Sequence, residues 1–514
     1  MLEPSAGDGA FVRGLARAGL ATSVAHVEAI ELLEGEAQKV AHVMNSTGVP
    51  GRVVHENVLQ WAQGQEADFD VLLANPPYVR FQFVSDEDKQ RARAITENLG
   101  AAGPSVSNLW IPVLLLALSK LRAGGAFSVI LPTEFLTGIS ASVVRNWLVR
   151  NTSNLTIDLF KPGSFPAVLQ EVLVLSGRRE ADPVIHGSEV SFHDHNGGTR
   201  SWSHLIDSGG GTWTNYLLSP SQNEAIRAVH AHANVRPLRD VARFSVSTVT
   251  GANGYFCVGA GELDDFDLWD WAVPLLPRSR HAAGLDFEAD EHRALSASGQ
   301  TAWILSFSAD RPSPETHAGA RRFLAGGARD GIDQRFKCRV RSPWYRVPVV
   351  PAGDLMLSKR SNRYPRMIAN HARVVTTDTI YRGQINAGAP VVADDLAAIF
   401  HNSLTMLSAE VEGRSFGGGV LELVPTEVSS LQVPIVPGFG TELKRLDEVA
   451  RSLTDPEALV EATDEALSRV VPELEPSTMA SLAEARNELV ERRLQRSRPR
   501  FYEDGEGPAR ETNV

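Results

Sequence analysis

Two consecutive prolines, Pro76 and Pro77, follow almost directly on the apolar run Phe69–Ala74 (FDVLLA), and this junction constrains the fold more than any other feature of the chain. Proline holds φ at about −65° and has no N–H to donate, so no strand of a sheet interior runs through the pair. The run therefore reads as a short buried strand that stops at a rigid turn, Asn75-Pro76-Pro77-Tyr78. Comparable runs lie on both sides: Val24–Ile30 and a weaker Val53–Leu59 before it, and Ala126–Leu131, Ile157–Phe160 and Val172–Ser176 after it. Helical segments alternate with them, among them the apolar helix Trp110–Leu121, which Gly124-Gly125 is expected to end. Such alternation over the first ~180 residues predicts a parallel, doubly wound α/β sheet. Ligands of these sheets bind at the carboxyl ends of the strands.

Three features fall at such ends. The first is Leu2-Glu3-Pro4-Ser5-Ala6-Gly7-Asp8-Gly9-Ala10-Phe11, a glycine turn where backbone approaches a nucleotide-like ligand closely. Alone, it is as readily an ordinary strand-to-helix turn. The second is Glu31, about 20 residues further on, where a carboxylate accepts both ribose hydroxyls of a nucleoside. Glu28 competes for that role, and alone either is a solvated surface residue. The third is the Asn75–Tyr78 turn. Its prolines leave backbone carbonyls as unopposed acceptors, and the Asn75 side-chain oxygen adds one more. Two acceptors grip the two hydrogens of an amino group, draw its nitrogen out of conjugation and free the lone pair to attack a methyl sulfonium in line. Tyr78 offers an aromatic face to a flipped base. The competing reading is a rigid turn that closes a strand, and the ordered company of the other two motifs disfavours it.

LEPSAGDGAF, AIEL and LLANPPYVRF resemble the gamma group of amino-methylating DNA methyltransferases, in which the S-adenosylmethionine motifs precede the catalytic motif and a target-recognition domain follows. Asn108-Leu109-Trp110, residues 124–136 (GGAFSVILPTEFL), Phe165-Pro166 with the strand EVLVLSGRR, and Arg414–Leu423 resemble later segments of that group. The resemblance implies a class I S-adenosylmethionine-dependent methyltransferase, with a Rossmann-like doubly wound sheet, followed by a mixed α+β target-recognition domain. It implies Asn75, Pro76, Pro77, Tyr78 and Phe165 as catalytic residues, with Tyr78 and Phe165 sandwiching an extruded adenine. It implies Glu3, Pro4, Ala6, Gly7, Gly9, Glu31, Asn57 and Asn75 as the cofactor site. Two departures stand out. The group usually has Asp where Asn57 stands, as acceptor for the cofactor's adenine amino group; Asn57 keeps an acceptor oxygen, adds donors and loses the charge. The group also has several tens of residues before the LEP motif, so the expectation is a start placed too late or a fragment, with most of the first central strand missing.

The 514 residues suffice for two or three domains. The boundaries read from texture are 1–216 for the catalytic domain, 217–435 for a loop-rich recognition domain, and 436–514 for a C-terminal helical segment with a disordered tail. Ala480–Gln495 is a charged amphipathic helix within the last of these. A net charge of −12 argues weakly against a nucleic-acid partner, but binding depends on the local patch. Arg335, Lys337, Arg339 and Arg341 alternate, so on a strand all four share one face, and Lys359, Arg360, Arg363 and Arg366 follow. Trp344, Tyr345 and Tyr364 are interleaved, which makes a candidate phosphate-contacting surface; the competing reading is a solvated sheet face.

No apolar stretch reaches the ~18 to 20 residues of a membrane span, and no export signal begins the chain. The two cysteines, Cys257 and Cys338, fit no metal or redox spacing, and a reduced cytoplasmic setting is the simplest reading. Neither lies near the Asn75 turn in sequence, which argues against methylation of cytosine carbon-5. The resulting expectation is methyl transfer to N6 of a flipped adenine in duplex DNA, with a separate restriction endonuclease as an open partner. The alternatives are N4 of cytosine, whose enzymes more often carry Ser at the Asn75 position; protein glutamine, whose enzymes are much shorter beyond the catalytic domain; and a non-catalytic DNA-binding fragment. No paired-carboxylate nuclease motif is visible.

Overall fold

The computed structural model describes residues 1–62, 66, 68–101, 106–160, 164, 172–196, 199–207, 211–416, 418–452 and 457–495. Met1–Pro220 and Ser221–Arg498 form two compact units.

The first unit is built on one sheet. Its strands are β1 (Leu2–Glu3), β2 (Val27–Glu31), β3 (Gly51–His55), β4 (Phe69–Ala74), β5 (Leu121–Pro132), β6 (Thr152–Leu159), β7 (Val172–Arg179), β8 (Ser188–Asp194) and β9 (Arg200–Ile206). They lie in the order β3-β2-β1-β4-β5-β7-β6-β8-β9. The neighbours from β3 to β5 pair in parallel, β7 runs antiparallel to both β5 and β6, and β8 lies parallel to β6. β1 is two residues long, pairing Leu2 with Glu28 on one side and with Leu72 on the other.

The helices α1 (Ala10–Arg17), α2 (Glu34–Thr47), α3 (Val58–Trp61), α4 (Asp86–Asn98), α5 (Trp110–Ser119), α6 (Glu134–Thr137) and α7 (Ser142–Asn151) fill the crossovers. Val12 of α1 and Val40 and Met44 of α2 pack on Val27 and Ala29 of β2. Gly9 starts α1 at φ 83°, a left-handed conformation that glycine adopts without strain. Every residue of α5 from Trp110 to Leu118 is buried. Each such Leu, Val or Ile contributes roughly 1.5–3 kcal/mol, so this helix anchors the centre of the unit.

Two expected elements differ. The helix after Trp110 closes at Ser119, not at the glycine pair, because Leu121 already pairs with Phe69 as the start of β5. The strand expected over Val53–Leu59 stops at His55, because Asn57 caps α3: its Oδ1 accepts the Leu59 N–H at 2.9 Å.

The second unit holds small sheets and helices. Ala242–Ser245, Ile380–Ile385, Leu355–Ser358 and Met367–Ala369 form an antiparallel sheet in that order. Cys257–Val258, Trp303–Leu305, Ala272–Leu276 and Val375–Thr376 form a mixed one. Apolar cores centred on Phe287, Met356 and Ile380 and on Trp271, Phe307 and Phe323 hold them. The helices Leu443–Arg451, Glu457–Val470 and Pro476–Leu494 belong to this unit and do not stand apart from it. Arg493 near the end of the last helix makes a buried two-point ion pair with Glu410, at 2.9 and 2.7 Å. The tail expected after residue 495 lies outside the described residues.

The alternation expected to place Arg335, Lys337, Arg339 and Arg341 on one strand face does not occur. Phe336–Arg339 is a single helical turn, closed by the Cys338 and Arg339 N–H groups bonding to the Arg335 carbonyl at 2.8 and 2.9 Å. Side chains there advance by about 100° per residue, not 180°. Arg335, Lys337 and Arg339 are exposed, whereas Arg341 turns inward and donates to the carbonyls of Val249 and Thr250.

Candidate active site

The chain lays β2 and β3 to one side of β1, then crosses back to place β4 on the other side. At such a reversal a crevice opens outside the carboxyl ends of the strands. Glu3 ends β1, Glu31 ends β2 and Asn75 follows β4, so the three sequence motifs arrive at that crevice together.

Side-chain bonds lock them to one another. The Ser5 hydroxyl donates to the Asn75 carbonyl at 2.9 Å, tying the glycine turn to the proline turn. The Gly7 N–H donates to Glu31 Oε2 and the Leu33 N–H to Glu31 Oε1, each at 2.8 Å. Gly7 sits at φ 55°, the left-handed region that glycine tolerates, and this orients its N–H toward the carboxylate. A carboxylate offers about four lone-pair sites, so Glu31 retains acceptors for two further hydroxyls. Pro4, Ala6 and Gly9 are buried beneath the turn. Glu28, the competitor, is taken up by Arg52, at 2.6 and 2.7 Å, which leaves Glu31 as the carboxylate of β2 available to a ribose.

Glu3 is 1% exposed, and its Oε2 has no hydrogen-bond partner among the described residues. Burial, reinforced by the Asp8 and Glu31 carboxylates, pushes its pKa up from 4.5 to about 8. A buried carboxylate costs free energy unless a cation or donor meets it. An orphaned Glu3 beside two more carboxylates thus fits a ligand that carries positive charge and a ribose. S-adenosylmethionine, with its sulfonium, its ammonium and its ribose diol, is of that kind.

Asn57 sits at the start of α3, with its Oδ1 on the Leu59 N–H and its Nδ2 donating to Asp88 Oδ1 of α4 at 3.0 Å. Its amide orientation is therefore fixed from outside the motif. Neither Ser5 nor Asp88 was singled out from sequence: Ser5 lies inside the glycine motif, and Asp88 is 31 residues from its partner with no local signal.

Asn75 is exposed, Pro76 is buried beneath it and Pro77 is half-buried. The Tyr78 hydroxyl lies 2.9 Å from Asn75 Oδ1 and 2.9 Å from the Ile130 carbonyl of β5. Burial pushes the phenol's pKa above its ordinary range, so it stays a neutral donor. Phe165 lies outside the described residues.

The remaining basic candidates all have partners within the second unit. Lys359 and Arg360 both pair with Glu422, at 3.5 and 3.0 Å, and Arg363 lies 3.7 Å from Glu457. Arg366 is spent on the carbonyls of Ser279, Ala282, Ala283 and Gly284.

Comparison with known proteins places these features in context. Residues 210–468 match the family described as Type II methyltransferase M.Eco57I, C-terminal domain, and residues 25–165 match Eco57I restriction-modification methylase. The type II methyltransferase M.AccI of Acinetobacter calcoaceticus is 20% identical over 383 residues, which cover 70% of this chain and 68% of that protein. Among solved structures, the type IIG restriction endonuclease BpuSI aligns over 96% of this chain and 62% of its own, at 15% identity and a TM-score of 0.38. The DrdV–DNA complex aligns over 96% and 65%, at 11% identity and a TM-score of 0.48. This chain thus spans less than two thirds of either solved protein. Among the described residues, no helix is long and apolar enough to cross a membrane.

Proposed function

The chain belongs to the Eco57I family of type II restriction-modification methyltransferases, and from that premise we propose that it methylates N6 of an adenine flipped out of duplex DNA, with S-adenosylmethionine as donor. The observation that carries this reading is the joining of the three strand-end motifs by the Ser5–Asn75 and Gly7–Glu31 hydrogen bonds. A glycine turn, a ribose-type carboxylate and an amino-gripping turn then share one crevice. In this reading the first unit is a class I, doubly wound methyltransferase domain, and residues beyond ~217 recognise the target.

When bound, S-adenosylmethionine supplies an electrophilic methyl group on sulfur. Glu31 would hold the ribose diol, and the glycine turn would let backbone approach the methionine end. Glu3 gives a buried negative charge to the cationic end. Asn75 Oδ1 and the Pro76 carbonyl each accept one hydrogen of the adenine amino group, which turns its lone pair toward the methyl carbon. In transfer, the amino nitrogen so positioned would take the methyl group that the donor gives up and would release one proton to solvent. No covalent enzyme intermediate is required. Flipping costs a few kcal/mol, and stacking on an aromatic ring, here Tyr78, returns roughly 1–3 kcal/mol. Asn at position 75, where enzymes acting on N4 of cytosine more often have Ser, favours adenine.

The test is expression in a bacterial host without adenine methylation, beside Asn75→Ala, followed by long-read mapping of modified bases. N6-methyladenine at one recurrent sequence, absent from the variant, is the expected result. N4-methylcytosine there instead would overturn the choice of base. Binding of S-adenosylmethionine with no modified base at all, in a chain that also fails to bind duplex DNA, would overturn the assignment to DNA.

A further inference from the structure

The second unit contains a cleft of about 790 Å³ into which four arginines project. Arg311 follows the strand Trp303–Leu305, Arg341 and Arg346 follow the helical turn at Phe336–Arg339, and Arg373 precedes the strand Val375–Thr376. Strand residues Val273 and Val375 contribute to its wall, and the four arginines come from the segments that flank the strands and the helical turn. One carboxylate, Asp310, lines the same cleft.

The bonding of these arginines leaves their charge in place. Arg341 donates to the carbonyls of Val249 and Thr250, at 2.7 and 2.6 Å, and Arg311 to those of Asp270 and Ala272, at 2.7 and 3.4 Å. Carbonyl oxygens fix the planes of the guanidiniums without neutralising them. Arg346 is exposed, and its guanidinium has no hydrogen bond or ion pair among the described residues. Only Arg373 is paired, with Asp354 at 2.9 Å. In a chain of net charge −12, four guanidiniums against the Asp310 and Asp354 carboxylates leave a local excess of positive charge. Guanidinium forks match phosphate oxygens two at a time. The volume exceeds what one free anion fills and suits a run of backbone with its bases.

We infer that this cleft seats the phosphodiester backbone of DNA, with Arg346 as a direct phosphate contact and Arg311 and Arg341 as oriented positive walls. The inference rests on the reading of the chain as a DNA methyltransferase and assigns it a DNA-holding surface. Most of these arginines were invisible in sequence, because they come from scattered segments that only the fold collects.

The test uses the full chain and a fluorescein-labelled duplex of mixed sequence, with anisotropy measured across a salt series. Arg346→Ala is expected to weaken binding about tenfold at low salt and to reduce the slope of log affinity against log salt by roughly one unit. Arg346→Lys should recover the slope but only part of the affinity, since it keeps the charge and loses the fork. The denaturant midpoint of the second unit should be unchanged in both and so reports that each variant is folded, and S-adenosylmethionine binding, followed by calorimetry, should be unchanged as well. Wild-type affinity and slope in Arg346→Ala and in Arg346→Glu would overturn the cleft while leaving the methyltransferase reading standing. A wild-type chain that binds S-adenosylmethionine but no duplex would overturn both. ATP binding that is lost in the variants while duplex binding is unmoved would reassign the cleft to a free nucleotide and overturn the inference.

Discussion

The Tyr78 hydroxyl lies 2.9 Å from Asn75 Oδ1, with the Ile130 carbonyl at the same distance. One phenolic hydrogen faces two acceptors, so it serves one of them at a time. Turned to Ile130, it leaves Asn75 Oδ1 free to accept from an amino group. Turned to Asn75, it takes one of the two lone pairs of Oδ1 and leaves a weaker acceptor. Tyr78→Phe removes this competition and keeps the ring, so methyl transfer should stay within about tenfold of wild type. Tyr78→Ala loses the stacking surface, worth roughly 1–3 kcal/mol, and should cost about 5- to 150-fold in kcat/KM. Steady-state methylation of duplex DNA measures both. Equal losses in the two variants would show that the hydroxyl, not the ring face, carries the role.

Glu3 predicts a pH dependence of unusual sign. Its pKa in the folded chain is about 8 against an ordinary 4.5, so the folded state holds the proton more tightly than the unfolded chain. Its contribution to stability is therefore intact below pH 4.5, is lost as pH rises toward about 8, and levels off beyond. Glu3→Gln should flatten that decline and raise Tm on the alkaline side, measured by thermal melts across pH. A cationic ligand at Glu3 should also expel its proton. Calorimetry of S-adenosylmethionine binding near neutral pH, in two buffers of different ionisation enthalpy, should then report proton release. Buffer-independent heats would place Glu3 out of contact with the ligand.

What could be read in the sequence follows from which signals are local. Phe69–Ala74 emerges as a strand with the same limits because an apolar run and a following proline pair are both contained in a few residues. Glu3, Glu31 and Asn75 were legible because each sits at a strand end. Asn57 was assigned to a strand by apolar neighbours, yet its side chain caps a helix, and a cap outcompetes weak strand propensity at a single position. Arg335–Arg341 misled because alternation of charge has no preference for strand once backbone bonds close a helical turn. The Asn57–Asp88 contact could not be foreseen, since it depends on how α4 is laid beside α3.

That contact predicts the behaviour of Asn57→Asp, the change that would bring this chain nearer the pattern of the group it resembles. Asp remains a good helix cap, so α3 itself should be unharmed. However, Asn57 Nδ2 now donates to Asp88 Oδ1 at 3.0 Å, and a carboxylate there would put like charges face to face. Arg91, 2.9 Å from the same Asp88 oxygen, offsets part of the repulsion. Asn57→Asp should therefore lower Tm near neutral pH by more than it does near pH 4. Asn57→Asp with Asp88→Asn should restore it, reversing the donor and acceptor. A double-mutant cycle gives the coupling, which should lie on the order of 1–3 kcal/mol. No coupling would mean that the two side chains do not interact in solution.

The Glu410–Arg493 pair makes the last helix a structural part of the second unit. Both side chains are 4% exposed, and two hydrogen bonds of 2.9 and 2.7 Å join them. Arg493 also donates to the carbonyls of Asn362, Arg363 and Gly419, so one side chain ties a helix near the end of the described chain to two loops. Removing one partner strands a buried charge, which costs about 3–5 kcal/mol, whereas replacing both with apolar groups is often close to neutral. Glu410→Ala and Arg493→Ala should each lower the stability of the second unit by that amount. Glu410→Leu with Arg493→Met should recover most of the Glu410 loss, though not the three backbone contacts of Arg493. Because the pair lies in the second unit, S-adenosylmethionine affinity should stay unchanged while the denaturant midpoint of the second unit moves. Single variants that unfold at the wild-type midpoint would show that the last helix is not stitched to the unit in this way.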